Sequence, residues 1–306
     1  MKPLISYYGG KQRIASKVVT ELGTIPHTVY CEPFFGGGAV FFARDVSRAT
    51  NTTHYREAIN DNSELLINLY RTIRKYPKEF NRLIQFTPHS QSEYKKAVDI
   101  LKNHEQHDEL EKAWAYYVSI NQSFAHKLNH GWRHEVFSKN SASTWATKQS
   151  NILPVVNRLK YAYIGCEDAL RFIRRWDSPQ TLFYLDPPYP NTHLGHYGGY
   201  TLDDFQALCD LLDSIQGSYV LSNYPQPIEP KSCQRKIEIK TKMSASGAGK
   251  VKADRTRKAT DEELGKVERT EVLWICDRSE NIREDLKDIA LRNCKRRPVK
   301  QLSLFN

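Results

Sequence analysis

The sequence lacks any arrangement of cysteines that would organise a fold. Its 306 residues include six cysteines and no Cys-x-x-Cys pair. They are Cys31, Cys166, Cys209, Cys233, Cys276 and Cys294. We therefore expect reduced thiols rather than a disulfide framework or a zinc knuckle. No apolar run approaches the length of a membrane span, and the N-terminus lacks the apolar segment of a signal peptide. These absences predict a protein of the cytoplasm.

Two common nucleotide-binding motifs are also missing. The glycines at Gly36 and Gly38 do not form a Rossmann dinucleotide site, because Phe41 stands where the third glycine of that motif is required. The glycine pair before Lys11 is not a P-loop, since Gln12 follows in place of Ser or Thr and the first glycine of that motif is absent.

Positive charge, in contrast, is in excess. The formal net charge is +10 and the isoelectric point is about 9.2, which suits a polyanionic partner. Hydrophobic residues make up 40% of the chain, as in soluble globular proteins. The length allows one large core with a smaller lobe.

The most informative segment is Asp186-Pro187-Pro188-Tyr189, which follows the apolar run 182–185. A buried strand that stops here forms a rigid edge with a charged acceptor, a proline carbonyl that has no competing N–H, and a flat aromatic ring. These groups suit an exocyclic amino group on a planar base. A tight turn without chemistry explains the four residues equally well.

A second segment, residues 29–42, has the pattern of a strand, a glycine turn and a helix. Such a turn lets the backbone approach a nucleoside-like cofactor closely. About thirty residues after the first strand, a short apolar run ends at Asp61, whose carboxylate is placed to hold both hydroxyls of a ribose.

The order of these segments resembles that of the Dam-like (alpha-group) DNA adenine-N6 methyltransferases. The resemblance runs from about Pro3 to Trp274 and departs from the family at Ala169, where relatives carry Phe, and at Ser63, where many carry Asn. Its motifs, in family order, are Tyr7-Tyr8-Gly9-Gly10-Lys11, Glu32-Pro33-Phe34-x-Gly36-x-Gly38, Asn60-Asp61, Cys166-Glu167-Asp168, Asp186-Pro187-Pro188-Tyr189 and Leu221-Ser222-Asn223-Tyr224.

The resemblance implies an enzyme of bacteria or phage that transfers a methyl group from S-adenosyl-L-methionine to N6 of adenine in double-stranded DNA, as in restriction–modification. The base is expected to leave the duplex, and the transfer to be direct. Asp186, Pro187, Pro188 and Tyr189 are the expected catalytic residues. Cytosine-N4 methylation stays open as an alternative, as does a DNA-binding protein that has lost catalysis. Cytosine-C5 methylation needs a Pro-Cys dipeptide, which the sequence lacks.

The resemblance also implies cofactor roles, although each residue could instead be structural. Tyr7 and Lys11 match the family's N-terminal pair, and Lys11 is expected near the DNA as well. Glu32 is expected to face the methionine ammonium, Asp61 the ribose and Asp168 the adenine amino group. The other expected cofactor contacts are Gly36, Gly38, Asp186, and Phe34 or Ile59 in the adenine pocket.

The predicted fold is α/β, with a seven-stranded, mostly parallel class I methyltransferase sheet and a helical target-recognition insert. Clear helices are predicted at 63–75 and at 202–215, the second with Thr201 as its N-cap. Strands are predicted at 28–33, 55–59, 161–165, 181–185, 219–222, 236–239 and 271–276. The last two are expected to form a hairpin, and the resemblance makes the final strand antiparallel.

The expected catalytic domain comprises residues 1–76 and 160–295, with the polar, helical recognition insert at 77–159. Where relatives have an Asn-Gly turn, this chain has Ala125-His126, so their sequence specificity does not carry over. His126, His130 and His134 lack a further ligand, and no metal is predicted. The candidates for DNA contact, chosen for base reading and stacking, are Lys127, Asn129, His130, Trp132 and Arg133.

Residues 240–266 have the composition of a basic loop. An ordinary solvated connection fits them, but we favour a loop that orders on DNA phosphates. Its expected contacts are Lys250, Lys252, Arg255 and Arg257.

Residues 296–306 form a basic tail whose segment Gln301-Leu302-Ser303-Leu304-Phe305 resembles the short peptide with which bacterial DNA-processing proteins bind the replicative sliding clamp. Gln301, Leu302, Leu304 and Phe305 are the expected clamp contacts. Docking on the domain and simple fraying are the alternatives.

Overall fold

A seven-stranded sheet forms the centre of the computed structural model, which describes residues 1–7, 10–46, 54–124, 128, 131–134, 140–150, 152–190, 199–244 and 266–294. The order across the sheet is β3-β2-β1-β4-β5-β7-β6. Strands β1 to β5 are parallel, whereas β7 is antiparallel to β5 and to β6. The predicted α/β fold and the antiparallel final strand are confirmed. The strands are β1 (Val29–Glu32), β2 (Arg56–Asn60), β3 (Ala162–Gly165), β4 (Thr181–Leu185), β5 (Ser218–Asn223), β6 (Arg235–Ser244) and β7 (Lys266–Cys276).

Helices join the parallel strands and cover both faces of the sheet. The predicted helix at 202–215 begins at Thr201, whose hydroxyl accepts the Asp204 N–H at 3.1 Å while Asp204 accepts the Thr201 N–H at 2.7 Å. This capping box fixes the start of the helix. The helices are α1 (Ala15–Leu22), α2 (Ala39–Ala43), α3 (Glu64–Lys75), α4 (Pro77–Phe86), α5 (Gln91–Lys102), α6 (Glu109–Gln122), α7 (Ser141–Gln149), α8 (Ile152–Leu159), α9 (Ala169–Trp176), α10 (Leu202–Ser214) and α11 (Glu284–Cys294).

Each face of the sheet has its own apolar core. Tyr30 and Cys31 are adjacent in β1 and both fully buried, but they belong to different cores, because successive side chains of a strand point to opposite faces. Phe205 of α10 packs in the core of Cys31, and Leu69 of α3 packs in the core of Tyr30.

The helical insert shares the core of Tyr30. Phe80 of α4, Trp114 of α6 and Val155 of α8 are buried in that core. An ion pair adds to this contact, since Arg158 of α8 donates to Glu57 of β2 at 2.9 Å. The insert is helical as predicted, and it packs on the sheet rather than standing apart from it.

The predicted loop at 240–266 was wrong at its start, and the strand predicted at 271–276 begins five residues earlier. β6 continues to Ser244 and β7 begins at Lys266, with Lys240 opposite Thr270 in the antiparallel ladder. The outer half of this hairpin, residues 240–244 paired with 266–270, is polar and has no alternation of apolar residues. Only the pairing of the two strands therefore shows that these residues are extended. The four basic residues predicted to contact DNA (Lys250, Lys252, Arg255 and Arg257) lie outside the described residues.

The cysteines are all free. Within the described ranges, no cluster of three or more His, Cys, Asp or Glu side chains is placed to hold a metal ion. Among the helices of those ranges, none has both the length and the apolar character needed to cross a membrane.

Candidate active site

A cavity of about 650 Å³ opens at the carboxyl ends of the parallel strands. This edge is where open α/β sheets bind their ligands. Because β1 to β4 each end at it, residues far apart in the sequence meet there. The lining includes every predicted catalytic and cofactor residue except Ile59, namely Tyr7, Lys11, Glu32, Phe34, Gly36, Gly38, Asp61, Asp168, Asp186, Pro187, Pro188 and Tyr189.

Asp61 holds the glycine turn that follows β1. Gly36 and Gly38 have φ angles of 48° and 66°, in the left-handed region that favours glycine. The Gly36 N–H donates to Asp61 Oδ2 at 2.9 Å, and the Ser63 N–H donates to Asp61 Oδ1 at 3.0 Å. Burial raises the pKa of Asp61, although these two N–H groups oppose the rise. The carboxylate thus joins the turn to the start of α3.

Glu32 is the buried last residue of β1. It accepts the Tyr30 hydroxyl at 2.6 Å. Burial raises the pKa of Glu32 to about 8, because the Tyr30 hydrogen bond and the charge of Arg44 offset only part of the desolvation. A cationic group beside this carboxyl would favour its charged form.

Phe34 and Tyr200 form an aromatic wall of the cavity. Their ring centroids are 6.5 Å apart, and the rings meet edge to face at 87°. Asp168 is the N-cap of α9 and accepts a first-turn N–H at 2.9 Å. Ala169, where the family carries Phe, lines the cavity without a ring. Tyr200 was not predicted from the sequence, and its place directly before the N-cap of α10 was the available signal.

Ile59 does not line the cavity. It is fully buried in the core beside Tyr30, because the alternation of β2 turns its side chain to that face. Of the two residues predicted for the adenine pocket, only Phe34 lies at the wall.

Lys11 and Asp186 form an ion pair, with 2.6 Å between Lys11 Nζ and Asp186 Oδ1. Burial by itself would lower the pKa of Lys11, but the carboxylates of Asp186 and Glu271 outweigh it and raise that pKa above its ordinary value. Burial raises the pKa of Asp186 to about 6, while the Lys11 charge opposes the rise. Lys11 therefore lies at the edge of the cavity that Asp186 and Pro187 form.

Glu271 of β7 is a buried carboxylate that the sequence motifs do not point to. It accepts the Tyr189 hydroxyl at 3.0 Å and the Ser222 hydroxyl at 2.7 Å. Lys11 Nζ lies 3.3 Å from Glu271 Oε1 and also donates to the Tyr189 hydroxyl. The signal in the sequence was an acid directly before the apolar run 272–276.

Tyr224 and Arg269 also line the cavity. Tyr224 ends the last of the family motifs, but no site role was predicted for either residue. The Tyr224 ring lies 4.2 Å from the Tyr189 ring, centroid to centroid, at a tilt of 40°. Arg269 is exposed, and its Nη1 donates to the Tyr224 hydroxyl at 2.9 Å. The pair therefore supports Tyr189 and places a positive charge at the cavity wall.

The insert supplies part of the cavity wall, through Tyr116 and Ile120 of α6 and through Leu128. A hydrogen bond joins Tyr116 to Tyr7. The Tyr7 ring in turn packs on the glycine turn, since a Cβ atom at Gly36 would lie 3.1 Å from it. No role at the cavity was predicted for these α6 residues, because their spacing has the pattern of ordinary core positions.

Trp132 and Arg133 are the predicted DNA contacts that lie within the described residues. The Trp132 ring stacks on the His134 ring, 5.3 Å between centroids and 16° between planes. Burial and the nearby positive charges of Lys2 and Arg133 lower the pKa of Lys148 to about 8. The other predicted DNA contacts of the insert, and the four residues predicted to contact a sliding clamp, lie outside the described residues. They are Lys127, Asn129 and His130, and Gln301, Leu302, Leu304 and Phe305.

The sheet order, the glycine turn after β1 and the Asp-Pro-Pro-Tyr edge after β4 define a class I methyltransferase. The chain belongs to the D12 class N6 adenine-specific DNA methyltransferase family, whose family model matches residues 7–238. The match selects adenine N6 over the cytosine-N4 alternative, and an enzyme over an inactive DNA-binding protein.

Two individual proteins show the range of similarity. The chain is 25% identical over 228 residues to the type II methyltransferase M.MjaIII of Methanocaldococcus jannaschii, a match that covers 67% of this chain and 75% of that protein. The structure of this chain is similar to that of the rRNA methyltransferase AviRa from Streptomyces viridochromogenes. The TM-score is 0.37, and the identity is 10% over 89% of this chain and 86% of AviRa.

Proposed function

We propose that the chain holds S-adenosyl-L-methionine and an adenine extruded from double-stranded DNA in the cavity between β1 and β4, and methylates that adenine at N6. One observation carries the proposal. Asp186 and Pro187, the acceptors for an amine, line the same cavity as the glycine turn after β1. Its volume of about 650 Å³ is in the range of small-molecule sites.

The side chains of the cavity fit this cofactor. Carboxyl groups follow β1, β2 and β3 at Glu32, Asp61 and Asp168, and they suit an ammonium, two ribose hydroxyls and an adenine amino group. The rings of Phe34 and Tyr200 suit a planar base. When bound, the cofactor supplies a methyl group activated by a positively charged sulfur.

On the target side, Asp186 and the Pro187 carbonyl accept the two N6 protons of adenine. These hydrogen bonds draw the N6 lone pair out of the ring and orient it for attack, so no covalent intermediate with the protein is needed. Lys11 holds Asp186 Oδ1, which leaves the other carboxylate oxygen for the amine.

The adenine must leave the duplex before these contacts form. Unstacking costs a few kcal/mol, and stacking on Tyr189 offsets about 1–3 kcal/mol of this cost. The net charge of +10 favours binding of the duplex. Within the described part of the insert, Trp132 and Arg133 are our candidates for contact with the duplex.

We assign the sequence reading to the insert at 77–159 and the chemistry to residues 1–76 and 160–295. The similarity to a type II methyltransferase supports a role as the modification enzyme of a restriction–modification system.

Labelled methyl transfer to DNA tests the proposal. Wild-type enzyme should transfer label from S-adenosylmethionine, and nucleoside digestion should recover it in N6-methyl-2′-deoxyadenosine. Asp186→Ala should abolish transfer while leaving the fold intact, which circular dichroism checks. Asp203→Ala, which removes an exposed carboxylate of α10, is the matched control and should transfer normally. Label on cytosine, or transfer by Asp186→Ala near the wild-type rate, would contradict the proposal.

A further inference from the structure

Glu271 lies next to the catalytic edge without lining the cavity. It is 5% exposed and stands in β7, one residue before the segment of that strand that pairs with β5. An isolated carboxylate at such a depth would be costly, and it persists in proteins only when donors surround it. Any influence of Glu271 on a ligand must therefore pass through its neighbours.

The donors around Glu271 come from three different parts of the chain. The Ser222 hydroxyl donates from β5 at 2.7 Å, and the Tyr189 hydroxyl donates from the segment after β4 at 3.0 Å and 3.3 Å to the two oxygens. The Lys11 ammonium lies 3.3 Å from Glu271 Oε1. Two of these three donors, Tyr189 and Lys11, line the cavity.

The charges of this cluster do not cancel. Lys11 brings one positive charge between two carboxylates, 2.6 Å from Asp186 and 3.3 Å from Glu271. If Glu271 were neutral, Lys11 would pair with Asp186 alone and would compete with a target amine for its oxygens. With Glu271 charged, the ammonium is shared and Asp186 keeps negative charge toward the cavity.

We propose that Glu271 is a positioning residue for methyl transfer, which anchors the hydroxyl of Tyr189 and shares the Lys11 ammonium so that Asp186 stays free to accept the target amine. The proposal rests on the function proposed above, in which Asp186 holds that amine. It assigns a role in turnover to a residue outside the sequence motifs of the site.

The proposal makes a prediction for pH dependence. The titratable groups facing Asp186 are Lys11, Tyr184, Tyr189 and Glu271. The pKa values of Lys11 and both tyrosines are raised above their ordinary values, so these groups keep their protons near neutral pH. The charge of Glu271 raises the pKa of Asp186. Neutralising Glu271 should therefore lower that pKa and move the acid limb of the kcat profile to lower pH.

The decisive variant is Glu271→Gln, which keeps the shape and an acceptor for Tyr189 but removes the charge. We expect kcat at neutral pH to fall about tenfold to a hundredfold, the loss typical of a misplaced catalytic group, with the acid limb moved to lower pH. KM for DNA and for S-adenosylmethionine should change little. Glu238→Gln removes an exposed carboxylate of the neighbouring strand β6 and should leave both kcat and the pH profile unchanged.

Wild-type kcat with an unmoved acid limb in Glu271→Gln would overturn the proposal. So would a loss of cofactor affinity equal to the loss of turnover, since that result indicates a structural role. If Glu271→Gln does not fold, Ser222→Ala decides instead, because it loosens the Glu271 carboxylate without touching the cavity. It should lower kcat with KM retained, and an unchanged kcat would contradict the proposal.

These outcomes are distinct from a failure of the proposed function. If Asp186→Ala methylates DNA at the wild-type rate, the assignment of Asp186 fails whatever Glu271→Gln does. If Asp186→Ala is inactive and Glu271→Gln behaves as wild type, only the positioning role fails.

Discussion

Lys11 Nζ and Asp186 Oδ1 are 2.6 Å apart although 175 residues separate them in the chain. Both side chains are largely buried, at 6% and 22% exposure. The pair joins the N-terminal segment to the end of β4 and fixes one oxygen of the carboxylate. The same residue pair therefore links the folding of the N-terminus to the chemistry proposed at Asp186.

Lys11→Met should shift the acid limb of the kcat profile to higher pH. Lys11 lowers the pKa of Asp186, so its removal raises that pKa and Asp186 is protonated at a higher pH, where it no longer accepts an amine. We expect activity about tenfold below wild type at mildly acidic pH, and a smaller loss at alkaline pH. Steady-state rates across pH measure this. A shift of the acid limb to lower pH, which we expect for Glu271→Gln, would contradict the proposed arrangement of charges around Asp186.

Glu32→Gln should weaken cofactor binding and remove its pH dependence. Burial raises the pKa of Glu32 to about 8, so the free protein carries a proton there that an incoming ammonium displaces. Wild-type affinity should rise with pH between about pH 6 and about pH 7.5, by up to about tenfold per unit. Calorimetric titration of both proteins checks this. If the cofactor affinities of wild type and Glu32→Gln changed equally with pH, the ammonium would bind elsewhere.

Tyr200→Ala should weaken S-adenosylmethionine binding about tenfold, because it removes one ring of the wall that Tyr200 forms with Phe34. Tyr200→Phe keeps the ring and is the matched control, with affinity close to wild type. Equilibrium binding of the cofactor to both variants measures the difference. Normal binding by Tyr200→Ala would leave Phe34 as the sole aromatic contact in this part of the site.

Neutralising Lys250, Lys252, Arg255 and Arg257 together should weaken DNA binding and flatten its salt dependence. For every phosphate that the variant no longer neutralises, the slope of log affinity against log salt should fall by about 0.9. Cofactor affinity should not change. A control that neutralises four exposed basic residues outside both the loop and the insert (Lys17, Arg56, Lys160 and Lys231) has the same net charge. If the loop variant and the control variant had the same salt slope, the phosphate contacts would lie outside the loop.

Deleting residues 301–306 should abolish binding to the sliding clamp. A short peptide that orders on binding reaches only about micromolar affinity, near −8 kcal/mol, so surface plasmon resonance with immobilised clamp is suitable. Methylation of short oligonucleotides should continue at the wild-type rate. Full-length protein that does not bind the clamp, or a truncated protein that unfolds, would refute the clamp-binding role.

The helix that begins at Thr201 and the strand that ends before Asp186 illustrate what local sequence predicts well. An N-cap followed by an apolar face at helical spacing, or an apolar run that ends at an acid and two prolines, describes a stable element without reference to the rest of the chain. The outer half of the β6–β7 hairpin lacks such a signal, because its strands are defined by their partner across the ladder.

The sequence by itself determined the alternating α/β pattern and the strands that end at the site, since each depends on neighbours a few positions away. The motif residues of the cavity followed from the resemblance to a family. Only the tertiary structure decided that Lys11 pairs with Asp186, that Tyr200 provides a ring beside Phe34, and that Glu271 is buried against Tyr189. Those contacts join segments brought together by sheet order. Because charge and burial act through distance in space, the sequence positions alone do not contain them.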